Sequence, residues 1–76
     1  MEADQGFIDR LIITENEALI IDYKTHDNID KNDLNIIALQ YRGQMHKYKS
    51  VIQQLYPGKT ISTTILFTHY LVSIKI

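Results

Sequence analysis

An acidic and a basic side chain lie two positions apart near the end of an isoleucine-rich segment, Ile20-Ile21-Asp22-Tyr23-Lys24-Thr25. Because a β-strand alternates its side chains with a period of two, a strand here places Asp22 and Lys24 on one face and Tyr23 on the other. A carboxylate beside an ammonium group is common as a surface ion pair. The same pair is also half of a metal-dependent site that hydrolyses phosphodiesters, so both interpretations stay open at this point.

Two apolar runs must position these residues. Residues 7–13 and 18–24 flank the polar stretch 14–17, and we expect the two runs to form the strands of a β-hairpin. Apolar side chains occur at both odd and even positions of the runs, which predicts a central pair of strands covered on both faces. A turn centred on Glu15 and Asn16 pairs residues whose numbers add up to 31.

In this register a second carboxylate, Asp9, lies directly opposite Asp22. Opposed side chains on paired strands have Cβ atoms roughly 4.5–5.5 Å apart, and like charges placed in this way repel each other. A bound cation removes that repulsion. Mg²⁺, which prefers oxygen ligands, suits two carboxylates, and Lys24 would lie beside the ion.

The remainder of the chain predicts one helix and two further strands. Spacings of three and four between apolar residues indicate a helix from about 34 to 56, with a break near its start, and Pro57-Gly58 ends it. β-branched residues predict a strand over 60–67, a turn at 68–70 and an edge strand over 71–76. The expected fold is α+β with the order ββαββ, in which one main helix packs on a small mixed sheet. A right-handed crossover is expected if the second and third strands are parallel neighbours.

Composition restricts the class of protein. Seventy-six residues allow one small domain, and we expect residues 1–5 to be disordered. Cysteine is absent, which excludes disulfides and thiolate metal sites within these residues, and the net charge of −1 is low for a free-standing nucleic-acid-binding protein. No apolar run approaches the ~20 residues that span a bilayer, and no signal-peptide pattern is present, so a cytoplasmic location without a membrane partner is expected.

Three motifs in order resemble the PD-(D/E)XK nuclease superfamily and, within it, the C-terminal nuclease domain of the bacterial helicase-nucleases AddA and RecB. They are Gly6-Phe7-Ile8-Asp9, Asp22-Tyr23-Lys24-Thr25, and Gln44-Met45-His46-Lys47-Tyr48 preceded by Tyr41. Leu55-Tyr56-Pro57-Gly58-Lys59 is also similar to AddA, and the resemblance extends from the first glycine to the C-terminus. It implies a restriction-endonuclease-like core, truncated at its N-terminal side, so that residues 1–76 form a single partial nuclease domain.

The resemblance also implies roles for individual residues. Asp9 and Asp22 would be ligands of Mg²⁺ or Mn²⁺, and the Tyr23 carbonyl would add a third oxygen. Lys24 would position or activate the attacking water, or stabilise charge on the phosphate. Two residues of the third motif would shape the site and contact DNA: Gln44 and Tyr48.

The implied activity is metal-dependent hydrolysis of DNA by an exonuclease that a helicase portion or partner subunit supplies with DNA during double-strand-break repair. The family has a further acid or histidine on a helix upstream of the glycine, and this sequence has no such helix before Gly6. We therefore expect weak or no activity from these residues alone, and self-association through the uncovered apolar surface. Two alternatives are a degenerate, non-catalytic nuclease fold that binds protein or DNA, and a generic α+β interaction domain whose acids do not converge.

Overall fold

The computed structural model describes residues 8–76, and the expected disorder of residues 1–5 lies outside that range. The four strands and two helices within it make an α+β fold, as the sequence predicts. The sheet contains one parallel pair of strands, and the connection between them carries both helices. In chain order the elements are β1 (Arg10–Ile13), β2 (Glu17–Lys24), a 3₁₀ turn (Lys31–Asp33), α1 (Leu34–Leu39), α2 (Arg42–Leu55), β3 (Thr60–Phe67) and β4 (Val72–Lys75).

The strands lie in the order β1-β2-β3-β4 across the described sheet. β1 and β2 are antiparallel, β2 and β3 are parallel from Glu17 and Thr60 to Lys24 and Phe67, and β3 and β4 are antiparallel. A parallel pair requires a crossover connection, which α1 and α2 provide between β2 and β3. The mixed sheet is therefore the one that the order ββαββ predicts.

The β1–β2 hairpin adopts the predicted register, in which Leu11 lies opposite Ile20. The turn is closed by Thr14, whose Oγ1 accepts a hydrogen bond of 3.1 Å from the backbone N–H of Glu17. Lys59, just before β3, donates from Nζ to the backbone carbonyls of Thr14 and Glu15 at 2.7 and 2.8 Å. The tip of the hairpin is therefore fixed both by its own turn and by a lysine that follows the two helices in the chain.

β1 differs from the prediction of a central, doubly covered strand pair. It forms one edge of the sheet, begins at Arg10, and exposes all four of its side chains. The helices cover one face of the sheet, where Ile20, Ile65 and Phe67 are fully buried, whereas the alternating side chains on the other face are only half-buried. Apolar residues at both odd and even positions show that a strand is apolar on both faces, but they do not show that other elements cover both faces.

The helical segment has the predicted extent and is divided near its start, as the sequence predicts, so that α2 is its one main helix. α1 ends at Leu39, and the N–H groups of Gln40 and Tyr41 bond three residues back, to Ile37 and Ala38, before α2 begins. Such tight bonds close a helix turn without continuing the α-helical pattern. The interruption lies at Tyr41, which reaches the site described below. Among residues 8–76, no helix has both the length and the apolar character that crossing a bilayer requires.

Candidate functional site

The structure brings Asp9 and Asp22 together. Asp9 immediately precedes β1, at the position that the hairpin register places opposite Asp22 on β2. Its Oδ2 accepts a hydrogen bond of 2.9 Å from the backbone N–H of Tyr23, which fixes the carboxylate at the end of the ladder. Asp22 is only 4 % exposed, and Asp9 lies close enough to perturb its ionisation. The alternative of two acids on different surfaces therefore does not describe this fold.

The pKa of Asp22 is raised above the ordinary value of an aspartyl carboxyl. Burial is the largest cause, because it penalises the charged form. The ammonium of Lys24 lowers the pKa, the neighbouring Asp9 raises it, and the net direction is upward. Burial and the neighbouring carboxylate together disfavour the charged form of Asp22, and a bound cation would favour it.

Lys24 provides partial compensation. Its Nζ lies 2.9 Å from Asp22 Oδ2. Within the described part of the chain, however, that buried oxygen receives no hydrogen bond of good geometry, so the contact is an ion pair with a poor approach direction. Burial lowers the pKa of Lys24, but the close contact with Asp22 and the charge interactions with Asp22, Tyr41 and Asp9 outweigh burial and leave the pKa raised. Lys24 is therefore an ammonium at neutral pH.

These residues partly fit a divalent metal ion. The donors are two carboxylates and, beside them, the Tyr23 carbonyl, which points to the same side of β2 as the Tyr23 N–H that contacts Asp9. Oxygen donors alone are the choice of hard cations such as Mg²⁺ and Mn²⁺. Residues 8–76 hold no group of three or more His, Cys, Asp or Glu side chains that could bind a metal. Water would have to complete the coordination sphere, as it usually does for Mg²⁺.

The third motif also faces this site. Gln44 and Tyr48 lie one turn apart on α2, and Gln44 Nε2 donates to Tyr48 Oη at 3.0 Å. The pKa of Tyr48 is raised, chiefly by burial, and the charges of Asp22 and Asp9 add to the effect. The phenol is therefore close to both acids.

Two side chains at the site have roles that the sequence motifs do not predict, Tyr41 and His26. Their polar atoms, Tyr41 Oη and His26 Nε2, are 2.8 Å apart, and the Lys24 Nζ lies 4.1 Å from the centroid of the Tyr41 ring. Both residues line an open cavity of about 440 Å³ together with Lys24 and the loop that follows β2. A spacing of seven between Tyr41 and Tyr48 places them on one helical face and is a signal for Tyr41. His26 has no comparable signal in the sequence.

Comparison with known families agrees with this geometry. A model of the PD-(D/E)XK nuclease superfamily matches residues 5–72. Searches of curated proteins and of solved structures gave no significant match. The mixed four-stranded sheet with its helices is consistent with the restriction-endonuclease-like fold, whose superfamily members are generally nucleases that use divalent metal ions. A match over almost the whole sequence, with two acids and a lysine gathered at the end of one hairpin, shows that this chain belongs to the PD-(D/E)XK nuclease superfamily.

Proposed function

We propose that this chain carries the site of a deoxyribonuclease that depends on Mg²⁺ or Mn²⁺. The observation that carries the proposal is the juxtaposition of two carboxylates and an ammonium at the end of the β1–β2 hairpin. The backbone N–H of Tyr23 fixes Asp9, the hairpin register aligns Asp22 with it, and Lys24 lies 2.9 Å from Asp22. A buried carboxylate with a raised pKa and a specific charge partner is typical of a functional site.

Each residue has a role that its environment supports. A divalent ion, when bound, supplies a Lewis acid and lowers the pKa of a coordinated water. Asp9 and Asp22 would hold it, and the Tyr23 carbonyl would add an oxygen. The raised pKa of Lys24 favours electrostatic stabilisation of the developing phosphate charge over general-base catalysis, because a base must first lose its proton.

Gln44 and Tyr48 would contact the DNA strand beside the scissile phosphate. Tyr48 Oη accepts a hydrogen bond from Gln44, which orients the phenol on the side of the helix that faces the acids. An oriented phenol close to the acids can contact a phosphate or sugar oxygen of the DNA. Both residues therefore belong to the substrate-binding part of the proposal.

The partners and the cellular role are the finer part of the proposal. The resemblance to AddA and RecB suggests an exonuclease that works with a helicase portion or partner subunit in double-strand-break repair. The net charge of −1 supports this, because a chain without net positive charge gains from a partner that attracts DNA. The half-buried sheet face with Leu19, Ile21 and Leu66 suits contact with such a partner or with a second copy of the chain.

The test is degradation of linear DNA in the presence of Mn²⁺ by the natural chain, by Lys24→Ala and by Lys75→Ala. Lys75 is an exposed lysine on β4, at the opposite edge of the sheet, and serves as the matched control. Loss of one group that stabilises transition-state charge costs about 100-fold or more in rate. We expect that loss for Lys24→Ala and none for Lys75→Ala. Equal rates for Lys24→Ala and the natural chain would remove Lys24 from the mechanism.

One observation favours a second candidate, a non-catalytic nuclease fold that binds protein or DNA. The site described above holds two carboxylates, and no third acidic or histidine side chain joins them within residues 8–76. Titration calorimetry with Mn²⁺ distinguishes the two functions. Heat of binding that disappears in Asp22→Ala supports the nuclease, whereas no heat for either chain favours the non-catalytic fold.

A further inference from the structure

Tyr41 contacts both Lys24, which has a role in the proposed mechanism, and His26, which has none. It lies between α1 and α2, and its ring is 4.1 Å from the Lys24 Nζ, measured to the ring centroid. An ammonium within about 6 Å of an aromatic centroid is attracted to the negative face of the ring. On the other side, the Tyr41 hydroxyl and His26 Nε2 share a hydrogen bond of 2.8 Å.

We propose that Tyr41 is a positioning residue which, held by His26, directs the Lys24 ammonium toward Asp22 and toward the phosphate. The inference rests on the proposed function for the identity of the phosphate, whereas the placement of Lys24 stands on the structure.

Lys24 needs such a second support. A lysine side chain has four rotatable bonds, and a single ion pair restrains it weakly. Its contact with Asp22 has the right length but not the direction of a good hydrogen bond, so Asp22 by itself does not fix the ammonium. The Tyr41 ring supplies a second point of contact from a different element of the fold. Two contacts from different directions define the position of Nζ where one leaves it free to swing.

His26 is itself held in place by contacts with the core. Its ring centroid lies 6.0 Å from that of the fully buried Phe67 on β3 and 6.2 Å from that of Tyr41. The loop that carries His26 is fastened farther along, where the Ile29 N–H donates to Tyr70 Oη at 3.1 Å and the same hydroxyl donates to the Ile29 carbonyl. Through its hydrogen bond with His26, Tyr41 is therefore connected to the core of the sheet.

The position of this group relative to open space supports the inference. Lys24, His26 and Tyr41 all line the cavity of about 440 Å³, together with Tyr23 of the site. A ligand phosphate in that cavity would lie beside the side chain of Lys24. Tyr41 therefore contacts Lys24 at the same cavity through which a phosphate would reach it.

The first test uses NMR and needs no enzymatic activity. Protons held over an aromatic ring resonate upfield, so we expect the ε-methylene protons of Lys24 to lie upfield of those of the exposed Lys75. The shift should persist in Tyr41→Phe, which keeps the ring, and disappear in Tyr41→Leu. Equal chemical shifts for Lys24 and Lys75 in the natural chain would overturn the inference, whatever the outcome of nuclease assays.

The second test is steady-state kinetics with linear DNA and Mn²⁺. We expect Tyr41→Leu to lower kcat by about tenfold with little change in KM, and Tyr41→Phe to lower it about two- to threefold. His26→Ala should match Tyr41→Phe, and the double variant should lose no more than either single variant, because both remove the same hydrogen bond. Tyr56→Leu is the control, since Lys59 lies 5.8 Å from that ring and outside the site.

The two tests separate this inference from the proposed nuclease activity. If the natural chain cleaves DNA and Tyr41→Leu keeps its full kcat, the positioning role is wrong while the nuclease stands. If the natural chain cleaves no DNA but the upfield shift is present and depends on the ring, the nuclease is wrong while Tyr41 still positions Lys24.

Discussion

Replacing Lys24 by methionine removes the ammonium of the site and keeps an apolar chain of similar length. The Nζ–Oδ2 distance of 2.9 Å corresponds to a gross attraction of about 6 kcal/mol at an effective dielectric constant of about 20. Desolvation offsets much of it, because the Lys24 and Asp22 side chains are only 23 % and 6 % exposed. We expect the free energy of unfolding at pH 7 to fall by about 1–3 kcal/mol, the cost of leaving a buried polar group without its partner.

The pH dependence identifies the cause. Without Lys24, the pKa of Asp22 should rise further, because the ammonium lowers it in the natural chain. A carboxyl whose pKa is higher in the folded than in the unfolded state binds more protons when folded, so stability decreases as pH rises between the two values. The deficit of Lys24→Met should therefore be small near pH 4, where the carboxyl of Asp22 is largely protonated in the folded variant, and should grow toward pH 7.

Urea unfolding followed by circular dichroism, in EDTA and from pH 4 to pH 8, measures this deficit. In a domain of this size each kcal/mol also shifts Tm by about 4–8 °C. Lys75→Met is the matched control, and the double variant Asp22→Asn/Lys24→Met should lose the pH-dependent part of the deficit. A Lys24→Met chain as stable as the natural one at pH 7, or a deficit equal at all pH values, would refute the reasoning about this ion pair.

Three further predictions concern the helix, the β3–β4 turn and the metal. Gly43→Ala should stabilise the chain by about 1 kcal/mol in urea unfolding, because a Cβ there meets no atom within 4 Å and alanine favours a helix; no gain would contradict this. Leu71 is 85 % exposed and has a φ of 54°, so Leu71→Gly should raise the free energy of unfolding by about 0.5–1 kcal/mol. Leu55→Gly, at an exposed position at the end of α2, should lower it. A change of the same sign in both variants would argue against backbone strain at Leu71. Mn²⁺ at about 100 times its Kd should stabilise the natural chain by about 2.7 kcal/mol in thermal unfolding but leave Asp22→Asn unchanged; equal Tm shifts would place the ion elsewhere.

The meeting of the two acids follows from the sequence because a hairpin register depends on local rules. A polar turn between two apolar runs sets which residues pair, and the pairing of Leu11 with Ile20 then carries Asp9 to a position opposite Asp22. The bounds of β3 follow in the same way from its β-branched residues and the Pro57-Gly58 stop. Local patterns are therefore sufficient for the elements and for the central part of the site.

Features that depend on contacts between residues far apart in the sequence are not predicted by local patterns. The bond between His26 and Tyr41 joins residues fifteen positions apart on different elements, and no spacing rule relates them. The position of β1 at an edge depends on which strands pair beyond the hairpin, and that information is not contained in β1. The helical pattern predicts a break near its start, but it does not show that the residue at the break, Tyr41, packs against Lys24.

The double hydrogen bond from Lys59 to the hairpin tip bears on how the site forms during folding. Lys59 is 45 and 44 residues away from Thr14 and Glu15, and the neighbouring Thr60 N–H also bonds to the Asn16 carbonyl at 2.9 Å. These bonds arise only when the chain returns after α2 to add β3 beside β2. The turn of the hairpin brings its acids close by local contacts, whereas the bonds from Lys59 and Thr60 to its tip require this long-range step. Assembly of the site is thus coupled to closure of the whole sheet.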